Sequence, residues 1–186
     1  MFQIRFHGRG GQGTVTGAEV LSVAAFHEGK FAQAFPSFGS ERMGAPVMSF
    51  CRIDDVEIRS RDPVVAPDAV LVQDATLLHS VEVFQGLRDD GYVLVNTRRT
   101  LDELGLDELV ARLPRGHVRT VAATELALKH VGKPVPNAPL LGAFAALTGV
   151  VALGSVAQAL RGRFTGGLGD ANVAAAGAAY AALGGT

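Results

Sequence analysis

Six residues near the start of the chain carry the clearest chemistry: Gly8-Arg9-Gly10-Gly11-Gln12-Gly13. They fit the spacing G-x-G-x-x-G, in which glycines allow a tight turn and let the backbone approach phosphate oxygens. Residues 2–7 before the motif read as a short β-strand. Residues 14–28 after it place Val15, Ala18, Leu21, Val23, Ala25 and Phe26 at helical spacing. A strand, a glycine turn and a helix N-terminus together present free N–H groups and a favourable dipole to an anion. Arg9 adds positive charge at the loop, and Gln12 and Thr14 are candidate side-chain donors. His7 adjoins the loop, although a histidine at a strand end is more often structural.

A dinucleotide site needs more than this loop. An acidic residue about 20 positions on normally holds the ribose hydroxyls. Here that region reads Phe31-Ala32-Gln33-Ala34-Phe35-Pro36-Ser37 and contains no acid. The phosphate half of the fingerprint is therefore present without the ribose half, which favours a phosphate-bearing ligand bound in another geometry. A stand-alone NAD-binding protein is the alternative, as is a turn that binds nothing.

A second candidate is the segment 35–46, Phe35-Pro36-Ser37-Phe38-Gly39-Ser40-Glu41-Arg42-Met43-Gly44-Ala45-Pro46. Following a second strand at 30–35, it would lie beside the glycine loop, where ligands bind in open α/β sheets. It serves equally well as a subunit contact. His7, His27, His79, His117 and His130 show no zinc-ligand spacing, and no Ser–His–Asp arrangement can be inferred.

The remaining elements must position these loops. Segments 47–53 and 56–59 flank Asp54-Asp55 and read as an antiparallel hairpin insertion. Then come a strand at 69–73, a helix at 76–87, a strand at 91–96, a helix at 102–113, a strand at 118–122 and a short helix at 124–131. Such alternation predicts an α/β fold, a mostly parallel sheet with helices on both faces, in one domain spanning 1–186. From Asn137 onward only small-residue helices are expected, notably 140–160 and 172–183, with Arg161 and Arg163 just beyond the first.

Composition excludes several classes. With 17 basic and 18 acidic residues the net charge is −1, so neither nucleic acid nor a membrane surface is an expected partner. Hydrophobic residues make up 48% of the chain, enough for a core. Cys51 is the single cysteine. It cannot form an internal disulfide, cannot supply the roughly four thiolates of an iron–sulfur cluster, and sits in an apolar run that reads as core. It fits a cytoplasmic location. Residues 134–160 carry no charge, yet their prolines and small residues favour a buried helix over a bilayer span. Residues 1–7 do not read as a secretion signal.

Taken in order, Arg5 to Gly13, the segment 35–46, Phe50-Cys51-Arg52-Ile53-Asp54, Asn137-Ala138-Pro139-Leu140-Leu141-Gly142-Ala143 and Asn172-Val173-Ala174-Ala175-Ala176 resemble the gamma subunit of the 2-oxoacid:ferredoxin oxidoreductases. The pyruvate-type enzymes are the most similar. The resemblance runs over nearly the whole chain. It implies a Rossmann-like α/β domain that holds coenzyme A, in a complex that decarboxylates a 2-oxoacid on thiamine diphosphate. Thiamine diphosphate, Mg and [4Fe–4S] clusters would sit on alpha, beta and ferredoxin-like delta partners. Some relatives pass electrons to NAD through a flavin subunit, and some act on aryl oxoacids. By the same resemblance, Gly8, Gly10, Gly11, Gln12 and Gly13 would cradle phosphate, with Arg9 as charge partner and Arg42 and Asn137 as further contacts. The resemblance assigns no catalytic residue to this chain.

Overall fold

A computed structural model of the chain describes residues 1–37 and 43–185. Among these, six strands form one sheet in the order β2-β3-β1-β4-β5-β6. They are β1 (Phe2–Arg9), β2 (Phe31–Pro36), β3 (Pro46–Asp54), β4 (Ala69–Val72), β5 (Tyr92–Asn96) and β6 (Val118–Val121). Strands β1, β4, β5 and β6 pair in parallel. β3 alone runs against both its neighbours, β1 and β2. The helices are α1 (Thr14–His27), α2 (Asp107–Arg112), α3 (Ala123–Val131), α4 (Asn137–Thr148), α5 (Leu153–Arg163) and α6 (Gly167–Ala182).

Alternation along β1 divides the interior in two. Ile4 and Phe6 face α1 and the C-terminal helices, where they join Leu21, Cys51, Leu71, Leu94, Leu140, Phe144 and Leu160 in one core. The opposite face of β4 and β5 carries Val70, Val72, Val93 and Val95, packed on Leu77, Val83, Leu87, Leu104 and Leu113. Strands β4 and β5 are thus buried on both sides, which is why their sequences are continuous apolar runs. Five helices cover the first face. Among the described residues, the second carries only α2 and short 3-10 turns at Ala75–His79 and Asp102–Leu104.

Polar side chains occupy that second face near β1 and β3. Arg52 is almost fully buried and donates to Gln3 and Gln33 side chains and to the carbonyls of Ser60 and Asp62. Its guanidinium lies 5.1 Å from the Phe35 ring centroid. Arg5 donates to the carbonyls of Val64, Val83 and Gln85. These two cations pin the irregular segments 60–64 and 83–85 to the sheet by satisfying backbone acceptors that no helix or strand uses.

Several expectations need correction. The partners of β3 are β1 and β2, so both its edges are filled and residues 56–59 have no strand to pair with. The antiparallel hairpin is β2–β3. Residues 76–87 form a 3-10 turn and further turns rather than a helix, and these turns leave the Val83 and Gln85 carbonyls to accept from Arg5. Gly105, at φ 67°, separates the 3-10 turn from α2, so 102–113 is not one helix. Likewise the left-handed cap Gly149 ends α4, so 140–160 divides into α4 and α5, and Arg161 and Arg163 fall inside the last turn of α5.

The small-residue tail packs as expected, against the sheet and against itself. A Cβ on Gly142 of α4 would stand 2.0 Å from the Ala176 carbonyl of α6, so only glycine permits this helix contact. No helix among the described residues is long and apolar enough to cross a membrane. Cys51 is buried, and burial pushes its thiol far above the ordinary range, leaving a core side chain rather than a nucleophile.

Candidate functional site

The glycine loop joins β1 to α1 at the carboxyl end of the central strand. Gln12 N–H bonds the Arg9 carbonyl at 3.0 Å, and Gly10 N–H reaches the Ala45 carbonyl at 2.9 Å. Gly11 and Gly13 adopt φ of 94° and 73°, which side chains disfavour. Gly8 is required for space instead: a Cβ there would lie 2.3 Å from Thr14 Oγ1 and 2.7 Å from Gln73 Oε1.

Helix α1 begins without a side-chain cap and without an acidic residue in its first turn. Its first intrahelical bond is from Gly17 N–H to the Gly13 carbonyl, 2.8 Å. The N–H groups of Thr14, Val15 and Thr16 therefore have no acceptor among the described residues. They border an open cavity of about 310 Å³ lined by Arg9, Gly10, Gly11, Gly13, Thr14, Val15, Thr16 and Val47. Backbone donors at the positive end of a 14-residue helix suit an anion.

The side chains expected to help are already engaged. Thr14 Oγ1 donates to Gln73 Oε1 at 2.8 Å. Gln12 accepts from Arg9 N–H at 2.8 Å and donates to Asp74 at 2.9 Å. The Arg9 guanidinium pairs with Asp74 (Nε to Oδ2, 3.2 Å) and bonds the Gly44 carbonyl and Thr76 Oγ1. Burial works to raise the Asp74 carboxyl, but hydrogen bonds from Thr76 and Gln12 and the charge of Arg9 outweigh it and hold it below the ordinary carboxylate range. The positive charge of Arg9 is thus largely balanced within the protein.

Asp74, Gln73 and Thr76 escaped the sequence reading. They follow β4, which pairs with β1, and so stand beside the loop although some 60 residues away in sequence. The rule that loops at strand carboxyl ends form the ligand crevice would have found them had it been applied to β4. Asn96, at the end of β5, extends the same polar row by donating to the Gln73 carbonyl and Thr124 Oγ1.

Asn137 is 4% exposed and lies behind the loop, its Nδ2 2.7 Å from where a Gly13 Cβ would be. Its Oδ1 accepts from Ala138 N–H. It supports the loop from the α4 side. Arg42 lies outside the described residues. His7 points to the sheet face opposite α1, sharing the side of Arg5. Burial, then the charge of Arg5, lowers its pKa to about 4, so it is neutral near pH 7 and brings no charge to the loop. Among the described residues no three His, Cys, Asp or Glu side chains gather as a metal site.

The fold and this loop define a class. Residues 3–182 match the family of pyruvate ferredoxin/flavodoxin oxidoreductases, and the chain belongs to that family. Within it the chain is of the gamma-subunit type. The pyruvate synthase subunit PorC of Methanocaldococcus jannaschii is 50% identical over 97% of this chain and 96% of its own length. The common gamma subunit of the pyruvate and ketoisovalerate oxidoreductases of Pyrococcus furiosus is 47% identical over 97% and 96%. Among solved structures, the pyruvate oxidoreductase subunit PORC of Thermotoga maritima superposes with a TM-score of 0.81 at 36% identity, covering 97% of this chain and 95% of that one. The 2-oxoglutarate:ferredoxin oxidoreductase of Magnetococcus marinus, solved with 2-oxoglutarate, coenzyme A and succinyl-CoA, matches with a TM-score of 0.74 at 17% identity over all of this chain and 32% of that one. That likeness concerns the fold alone.

Proposed function

We propose that this chain is the coenzyme A-holding subunit of a cytoplasmic complex that oxidatively decarboxylates a 2-oxoacid, pyruvate or a related or aryl acid, to the acyl-CoA. Thiamine diphosphate, Mg and [4Fe–4S] clusters belong to the alpha, beta and delta partners, and electrons leave to ferredoxin or, through a flavin subunit, to NAD.

The observation that carries the reading is the uncapped start of α1. Three unbonded N–H groups at an open cavity fit a pyrophosphate, whose charge the helix dipole favours without a free cation. Arg9, tethered by Asp74, can turn one face of its guanidinium to the same oxygens. The NAD alternative loses ground on topology. The strand next to β1 on that side is β3, which starts rather than ends beside the loop (Arg9 opposite Pro46), so among the described residues no acid at a strand's carboxyl end meets the loop from there.

The test is steady-state kinetics of the assembled complex carrying Gly13→Ala or Arg9→Ala. The KM for coenzyme A should rise about tenfold, a loss of about 1.4 kcal/mol, while the KM for the 2-oxoacid stays unchanged. Unaltered coenzyme A kinetics in both variants would leave the loop a purely structural turn.

A further inference from the structure

The two edges of the sheet differ. β6 is four residues long and carries Arg119, and short length and charge both keep an edge from pairing with other chains. β2 has six residues and no charge. Lys30, just before it, spends its ammonium on Glu28 and the Val150 carbonyl. Among the described residues no strand lies outside β2. Its register decides which backbone groups are free. Ser37 N–H donates to the Met48 carbonyl at 2.8 Å, and the β2–β3 register, continued by one residue, sets these two opposite each other. Bonding alternates along an antiparallel strand. Phe31, Gln33 and Phe35 therefore bond β3, while Ala32, Ala34 and Pro36 turn their backbone outward. Ala32 and Ala34 are half-buried and each present an N–H and a carbonyl at the edge. Pro36 offers a carbonyl alone. The sequence Phe31-Ala32-Gln33-Ala34-Phe35 reads the same in both directions. Turned end for end about Gln33, the strand meets its own image with Ala32 opposite Ala34, and these are the residues whose groups face outward.

We infer that β2 is a self-association edge, pairing antiparallel with β2 of a second copy of this chain across a two-fold axis at Gln33. Ala32 exchanges N–H to carbonyl bonds with Ala34 of the second copy, and the symmetry repeats the exchange, so both outward amides of each strand are satisfied. The missing N–H of Pro36 lies beyond these pairs and costs none of them. Phe31, 46% exposed, comes opposite Phe35 of the second copy, a residue that already packs on Phe50 with ring centroids 5.1 Å apart. Aromatic pairs across strands are favourable, and no like charges within the strand are brought together. Helix α1 lies over β2 and β3. The same two-fold therefore sets the two α1 helices on one face of the joined sheet, about 10 Å apart at ordinary strand spacing and within packing distance. Val23 and Phe26 give α1 exposed apolar surface for that contact, at 44% and 72% exposure. Any foreign strand could satisfy the two amides, but the symmetric sequence selects a second copy. The inference stands apart from the coenzyme A reading.

Sedimentation equilibrium of the full chain over a wide range of concentration tests this, and a reversible dimer is the expected result. Ala34→Pro removes an outward N–H and spares the bonds to β3, so the dimer dissociation constant should rise at least about tenfold. Phe31→Lys, at an exposed position, adds the charge that the edge lacks and should weaken the dimer independently of any misfolding by the proline. Engineered cysteines read the register. Gln33→Cys should cross-link two copies on mild oxidation, since opposed residues of a non-bonded pair stand about 4.5 Å apart at Cα, within disulfide range. Phe31→Cys, whose own image lies several residues along, should not. Cys51 is buried and does not compete. A chain that stays monomeric, a folded Ala34→Pro variant as dimeric as the parent, or cross-linking through Phe31→Cys in place of Gln33→Cys would overturn the inference. Ala32 and Ala34 amides protected from exchange only in the assembled complex, without a Gln33→Cys cross-link there, would assign the edge to a different subunit and overturn it as well.

Discussion

The two faces of the sheet solve the same problem with different chemistry. Beneath α1, α4, α5 and α6 the interior is mostly apolar, with polar side chains such as Thr14, Ser49 and Asn137 gathered near the glycine loop, and backbone groups are consumed inside helices. On the other face the covering segments are short turns whose carbonyls would be orphaned. Two buried arginines accept that task, and a neutral histidine sits beside one of them. Packing is held by shape on one side and by a few charged hydrogen bonds on the other. Stability should therefore depend on volume on the first face, and on ionisation and donor count on the second.

The largest expected effect tests the helical face. Phe144 is fully buried and meets the Phe2 ring edge-on at 6.4 Å. Phe144→Ala should destabilise the chain by about 4 kcal/mol, the usual range for an unrelieved aromatic cavity, read from denaturant unfolding at pH 7.

Next in size is a pH effect on the other face. The His7 pKa lies at about 4 in the fold against an ordinary value of 6.5. Above pH 6.5 both folded and unfolded chains hold a neutral ring, and the group contributes no pH dependence. Between 6.5 and 4 only the unfolded chain takes up the proton, so stability falls with falling pH, by about 3 kcal/mol in all. Unfolding curves across this window should show that slope, and His7→Gln should remove it.

The smallest effect sharpens the contrast. Arg52→Met keeps apolar bulk on the sheet but removes the donors to Ser60 and Asp62. Because Asp62 is exposed and Ser60 half-buried, water can replace much of the lost donation, and the cost should be about 2 kcal/mol. Limited proteolysis should show faster cleavage within residues 55–67, with the helical face unaffected. Equal loosening of both faces would mean that they do not act separately.

The same division explains what could be read from sequence. Strands β4 and β5 were legible because burial on both sides makes them unbroken apolar runs. The glycine loop was legible because its strand and helix are local. By contrast, β3 between β1 and β2 is a non-local pairing on which periodicity is silent. The apolar spacing of Leu77, Val81 and Val83 fits a helix, whereas the segment's carbonyls are met by Arg5, more than 70 residues earlier. At the site, Arg9 read as a free charge because Asp74 reaches it only through strand order.

The central position of β1 has a consequence for synthesis. This strand is made before both its neighbours, which pair Ile4 with Ala69 on the parallel side and with Cys51 on the antiparallel side. At about 10 residues per second, roughly six seconds pass before β4 follows it. For that interval the β4-facing edge of β1 is unpaired, a candidate for chaperone capture and for errant pairing with neighbouring chains.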